Sequence, residues 1–236
     1  MSGWARKRFW KETSVVSEGG GFAVHLDGRA LRTPAKAPLV VPGAQMAGAI
    51  AQEWDAQQGE VDPRSMPFTR SANAAIDKVA VQHADVADML AEYGGSDLLC
   101  YRATTPAELV ARQAANWDPL LDWAETALGA RLAAVSGVMH HPQDRAALDV
   151  LRRRVHGLNN FELAAFHDLV SLSGSLIIGF AATLDHLPIE ELWRVSRIDE
   201  TWQEELWGVD EEASEMAEVK RQAFLHAHRF HKMSQK

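Results

Sequence analysis

A single cysteine, Cys100, stands in the whole chain. No internal disulfide can form, and a reducing compartment suits the protein. Positive charge is also short: 24 lysines and arginines stand against 32 aspartates and glutamates, a formal net charge of −8. That balance speaks against nucleic acid as the main partner, because phosphate binding wants a basic surface. No apolar run reaches the length of about twenty residues that a bilayer demands; the most apolar stretch, LSGSLIIGFAATL (172–184), stops short of it. The N-terminus MSGWARKRFWKE is basic but has neither an apolar core nor a small-residue cleavage site behind it. It reads as mature protein, neither secretory signal nor transit peptide. The expectation is a cytoplasmic protein without membrane insertion. Internal repeats and low-complexity tracts are missing too. With 236 residues, 47% of them apolar, the chain can still bury a substantial core in one large domain or two modest ones.

Residues 8–41 carry β signals. RFWKETSVVSE and GFAVHLDGRALRT are joined by Gly19–Gly21, and Asp27-Gly28 marks a second tight turn. PAKAPLVVP supplies another short extended piece. The period then changes: GAQMAGAIAQEWDAQQGE (43–60) places Met46, Ile50 and Trp54 at four-residue steps, the stripe of an amphipathic helix. A loop holding Pro63 and Pro67 follows. Beyond it the pattern predicts helices over 69–93, 106–128, 143–156, 160–184, 188–207 and 210–230, with short extended pieces at SDLLCYRA and RLAAVSGVM. Pro106, Pro142 and Pro188 sit where helices would begin. The fold class is α+β: a small β-rich N-terminal domain with one packed helix (1–66), followed by an all-helical C-terminal domain (67–236).

No catalytic constellation emerges. EGGGF lacks the lysine and following helix of a phosphate loop and reads as a hairpin turn. His140 and His141 are adjacent and would point to opposite faces of a strand, which suits no shared metal. Of His226, His228 and His231, only the last two can share a helix face. Ser171, Ser173 and Ser175 lie in an apolar helical stretch, where small residues allow close packing. Cys100 follows two leucines and reads as a buried, inert thiol. No catalytic residue, metal or cofactor is expected.

What is abundant is acid in one place. IDETWQEELWGVDEEASEMAEV (198–219) holds nine carboxylates and no lysine or arginine, with Trp202 and Trp207 among them. The helical period places Glu200, Glu204 and Glu211 outward on roughly one side and packs Trp202 inward. Trp54 extends the Met46–Ile50 stripe and is expected to lock helix to sheet.

Five motifs, taken in order, resemble a known family: RFWK (8–11), LDGRALRTP (26–34), EWDAQ (53–57), NWDPLLDWAE (116–125) and LWRVSRIDETWQEELWGVDEE (192–212). They resemble the assembly chaperones of the F-type ATP synthase catalytic head, the family that binds the free α subunit. The resemblance runs from about residue 8 to residue 228. It implies an ATP-independent chaperone without enzymatic activity, which holds the unassembled α subunit until a β subunit replaces it. It also implies a β-rich N-terminal domain joined to a helical one, and a bacterial, cytoplasmic member of a family whose eukaryotic relatives are mitochondrial. Trp54 corresponds to the tryptophan of the EWDAQ motif. The family's important acid falls within IDETWQ, at Glu200 or its neighbour Asp199, with Glu204 and Glu211 completing the expected partner-binding surface. An acidic adaptor for another basic protein, or a histidine-dependent metal hydrolase, are the competing readings.

Overall fold

A computed structural model describes residues 7–235; the first six residues of the stretch read above as mature protein lie outside the described residues. The α+β fold expected from the sequence is the one observed. Two compact units organise the chain. The first takes the chain through His83, with Asn159–Ala165 and the segment from Arg229 onward; the second takes Ala84–Leu158 and Phe166–His228.

In the first unit, β1 (Thr13–Glu18) and β2 (Gly21–Leu26) form an antiparallel hairpin in which Val15 faces Val24 and Glu18 faces Gly21. The two residues between them, Gly19 and Gly20, both have positive φ. So do Asp27 and Gly28, which turn the chain into β3 (Arg29–Ala30). Turns of this handedness match strand twist and favour glycine and aspartate. A fourth strand, β4 (Val40–Val41), pairs with β2 beside β3. Gly21 is held to its identity by this neighbour, since a Cβ there would stand 2.5 Å from the Val41 carbonyl oxygen. Helix α1 (Ala44–Asp55) lays Met46, Ala47 and Ile50 against Val24, Leu26, Leu39 and Val41, all buried. Each of these side chains larger than alanine contributes about 1.5–3 kcal/mol by leaving water. Helix α2 (Pro67–Asp77) adds Ala72, and Trp10 and Phe230 close the cluster.

The second unit is helical: α3 (His83–Ala91, whose first residue belongs to the first unit), α4 (Ala107–Trp123), α5 (Arg145–His156), most of α6 (Asn160–Ser173), α7 (Leu176–Thr183), α8 (Ile189–Ser196), α9 (Ile198–Trp207) and α10 (Glu211–Ser234) as far as His228. The extended pieces expected at 96–103 and 131–139 become β5 (Tyr101–Arg102) and β6 (Val135–Ser136), which pair in parallel. Cys100 lies in the short 3₁₀ turn before β5, fully buried, its thiol pushed up to about 12 chiefly by burial. Every residue of α7 is buried, so the most apolar stretch of the sequence is a central core helix. At none of the described residues is a helix long and apolar enough to cross a membrane.

Several long helices expected from periodicity are broken. The stretch 69–93 splits near Lys78, where a 3₁₀ turn Val79–Val81 intervenes. The stretch 160–184 splits at Gly174, whose φ is +72°, and the hydroxyl of Ser175 then accepts a hydrogen bond from the Ile178 N–H at 3.0 Å to cap α7. The stretch 188–207 splits at Arg197. Small residues do allow close packing here: a Cβ on Gly179 would lie 2.7 Å from Val170 Cγ2. Conversely, Asp118-Pro119 lies inside a continuous α4. Proline costs that helix a hydrogen bond. The flanking anchors hold it nonetheless: Trp117 is fully buried and its indole donates to the Val195 carbonyl at 2.9 Å, and Arg102 meets Asp118 at 2.7 Å.

Candidate functional site

The residues singled out in the sequence fall in both units. In the first unit Glu53, Trp54 and Gln57 of the EWDAQ motif turn toward the fold, while Asp55 and Ala56 are exposed. Glu53 accepts hydrogen bonds from the Phe68 N–H at 2.6 Å, the Thr69 N–H at 2.8 Å and the Thr69 hydroxyl at 2.7 Å, capping the start of α2. Burial nevertheless raises its carboxyl above the ordinary range. Trp54 is half-buried, packs on the β-sheet core and meets Trp10 edge-on at 5.2 Å. Asp55 pairs with Arg8 at 3.2 Å. Gln57 is buried; it donates to Ser65 Oγ and accepts from the Asp62 N–H. Trp54 thus packs among residues of its own unit while part of it remains exposed.

The acidic stretch lies in the second unit. Asp199 and Glu200 occupy the first turn of α9, where carboxylates complement the helix dipole. Gly208, at φ +90°, ends the helix in a conformation that side chains resist. Asp210 then accepts from the Ala213 N–H at 3.2 Å and starts α10.

The nine acids divide into two groups. Cations from elsewhere in the fold answer three of them: Arg197 meets Glu200 at 2.6 Å, Arg112 grips Glu205 with two bonds of 2.8 Å, and Arg221 bonds Glu218 at 2.8 Å while also meeting Glu190. Arg221 and Gln222 hold the Glu218 carboxyl down to about 2, and Arg112 lowers that of Glu205. Asp199, Glu204, Asp210, Glu211, Glu212 and Glu215 have no cation beside them among the described residues. Of the four acids predicted for partner binding, Glu204 and Glu211 therefore present uncompensated charge, Glu200 is half of an ion pair, and Asp199 accepts from Gln113 Nε2 at 2.6 Å.

Apolar groups stand exposed among these acids. Trp207 is 79% exposed, and Leu206 and Val209 lie open beside it at the corner between α9 and α10. Met216 and Val219, close to one turn apart on α10, are exposed as well. Trp202 is half-buried, and the Arg112 guanidinium lies 4.8 Å from its ring centroid. It also lines a cavity of about 570 Å³ together with Asp199, Gln113 and Gln203. Sequence reasoning missed Arg112 and Gln113, which reach α9 from 93 and 86 residues away. The corner of Leu206, Trp207 and Val209 had a signal, a bulky apolar pair directly before a helix-ending glycine.

The histidines do not assemble. His140 Nδ1 meets the Tyr101 hydroxyl at 3.1 Å and His228 pairs with Asp185 at 3.1 Å. Among the described residues no three His, Cys, Asp or Glu side chains converge as a metal site would need.

Comparison with known proteins bears on this arrangement. Residues 7–125 match the family model described as ATP12 chaperone protein. The crystal structure of Atp12 from Paracoccus denitrificans is similar, with 49% identity, a TM-score of 0.94, and coverage of 97% of this chain and 98% of that one. A mutant of the Paracoccus protein, with lysine in place of one aspartate, is similar at 48% identity, a TM-score of 0.95 and the same coverage. In Schizosaccharomyces pombe, the mitochondrial protein atp12 is 29% identical over 222 residues, 89% of this chain and 76% of that protein. The motifs, the fold and these relatives agree: the chain belongs to the ATP12 chaperone family of ATP synthase assembly factors.

Proposed function

We propose that the chain binds the unassembled α subunit of the F-type ATP synthase catalytic head and holds it until β takes its place. It acts without catalysis, ATP or any cofactor, in the cytoplasm of a bacterium, and engages neither nucleic acid nor membrane. The contact surface is the α9–α10 corner, with Glu204 and Glu211 presenting charge, Glu200 and Asp199 flanking them, and Trp207, Leu206 and Val209 providing apolar area.

The observation that carries the reading is Trp207, a large indole left in water within an acid-rich stretch. Exposed aromatics are rich in binding energy because they bury much area at little entropic cost. Negative charge around them steers a cationic partner and rejects acidic ones. An isolated α subunit would expose apolar and cationic groups meant for nucleotide and for its β neighbour, which such a surface can cover. The test is co-expression. The α subunit made alone should be largely insoluble, and with this chain it should stay soluble and co-purify, whereas β should not. Retention of β in preference to α would overturn the assignment.

A further inference from the structure

The cavity in the second unit carries a charge pattern that the corner surface does not use. Asp199, Trp202 and Gln203 stand three and four residues apart on α9, so they share one face of that helix, while Glu200 is rotated by about 100° toward Arg197. Across the cavity lie Gln113 and the loop residues Thr104 and Thr105. Its one cation, Arg102, is already ion-paired with Asp118, which lies outside the lining. Arg102 Nε donates to the Leu99 carbonyl at 2.7 Å, its NH2 meets Asp118 at 2.7 Å, and its guanidinium lies over Trp117 at 5.3 Å. Asp199 spends one oxygen on Gln113; the other accepts no hydrogen bond among the described residues. The cavity therefore offers a net negative charge beside an indole, with amides and hydroxyls around them.

The same helix shows what such a pair binds. Arg112 lies 4.8 Å from the Trp202 ring centroid and makes two 2.8 Å bonds to Glu205. Carboxylate plus indole is a site for a guanidinium, which stacks flat and bonds through its fork where an ammonium cannot. Asp199 and Trp202 set the same two groups beside a space large enough for a side chain and its flanking backbone, while Arg102 pairs with Asp118 and Arg112 with Glu205, leaving Asp199 without a cation of its own among the described residues.

We propose that this cavity is a specificity pocket for an arginine side chain carried on an extended segment of the client. The guanidinium bonds Asp199, its stem lies along Trp202, Gln203 hydrogen-bonds the adjoining backbone, and Gln113, which accepts from the Ala103 N–H at 2.8 Å and donates to Asp199, holds the carboxylate in place. The proposal rests on the chaperone reading for the identity of the client, and it assigns to Asp199 a role distinct from that of Glu200: pocket base against outer rim.

A blocked pentapeptide, acetyl-Gly-Ala-Arg-Ala-Gly-amide, tests it on the full-length chain by NMR titration, beside the same peptide with citrulline for arginine. The indole signal of Trp202, identified with a Trp202→Phe variant, and the Gln113 carboxamide should shift with the arginine peptide, which should bind roughly tenfold more tightly than its uncharged twin. Asp199→Asn should reduce the arginine peptide to the citrulline level, and Glu200→Gln should leave it unchanged. Equal binding of the two peptides by the wild-type chain overturns the proposal without recourse to any variant. An Asp199→Asn effect no larger than that of Glu200→Gln does the same. Capture of α subunit, measured separately, keeps the two readings apart. Peptide shifts without capture uphold the pocket and remove its client, and capture without peptide shifts removes the pocket alone.

Discussion

Residues 53–57 and residues 198–219 both set carboxylates beside tryptophan, and they do opposite things with them. In EWDAQ, Glu53 spends its oxygens on three donors at the start of α2, and Trp54 packs edge-on against Trp10. In the acidic stretch, Glu204, Glu211, Glu212 and Glu215 meet no cation among the described residues, and Trp207 lies in water. Composition does not separate the two cases; partners do. A carboxylate with fixed donors organises its own fold, while one without them is available to something else. The comparison predicts that substitutions in the first region act on stability and substitutions in the second act on binding.

The largest effect should come from Trp54→Ala. Removing a ring packed on the sheet core should cost about 3–5 kcal/mol, seen as a lower midpoint in chemical denaturation. An unchanged midpoint with lost client binding would move Trp54 to the functional side of the comparison.

Asp97 extends the comparison to a carboxylate buried in the second unit. It accepts from the Leu99 N–H at 3.0 Å and the Ile177 N–H at 3.2 Å, and full burial pushes it up from 3.8 to about 6. Between these values the folded state keeps a proton that the unfolded chain has lost, so stability falls as pH rises through that window. The stability difference between the wild type and a non-titrating Asp97→Asn variant should therefore drop by roughly 2 kcal/mol from pH 4 to pH 6 and level off about one pH unit higher. A difference that is constant with pH would contradict the buried-acid assignment.

Glu53→Ala should cost about 1–3 kcal/mol, because it strands the donors of Phe68 and Thr69. Thermal melting at neutral pH checks it, and a loss below a few tenths of that range would mean that water replaces the cap. Smallest of all should be Glu200→Lys. It breaks one partly exposed ion pair and sets a lysine beside Arg197, a change of under about 1 kcal/mol in stability. Across an interface the same reversal replaces attraction with repulsion of several kcal/mol, so a variant that melts normally should capture less α subunit. Melting of the variant would make Glu200 structural.

Local signals made much of the first unit legible. Gly19-Gly20 and Asp27-Gly28 fix hairpin turns through positive φ, and Met46, Ile50 and Trp54 mark the buried face of α1. The helical region was legible in content but not in its breaks. Gly174 sits inside so apolar a window that periodicity runs straight through it. Arg197 ends α8 with no glycine or proline to announce it. Pro119 does not break α4, because the anchors of Trp117 and Arg102 outweigh a lost hydrogen bond. For the site, the count of acids was legible and their pairing was not. Arg112 and Glu205 are 93 residues apart, and only the fold brings them within 2.8 Å.

The central claim, that the α9–α10 corner binds and the EWDAQ region holds, is tested most directly by one measurement on Trp207→Ser. Folded variant and wild type are compared for α subunit captured per mole of chaperone during co-expression. An exposed indole contributes little to the fold, so the melting temperature should stay within the change expected of a surface substitution, about 0.5 kcal/mol. Capture should fall by roughly tenfold or more, the loss of a hot-spot aromatic. Undiminished capture by a Trp207→Ser protein of normal stability would contradict the account.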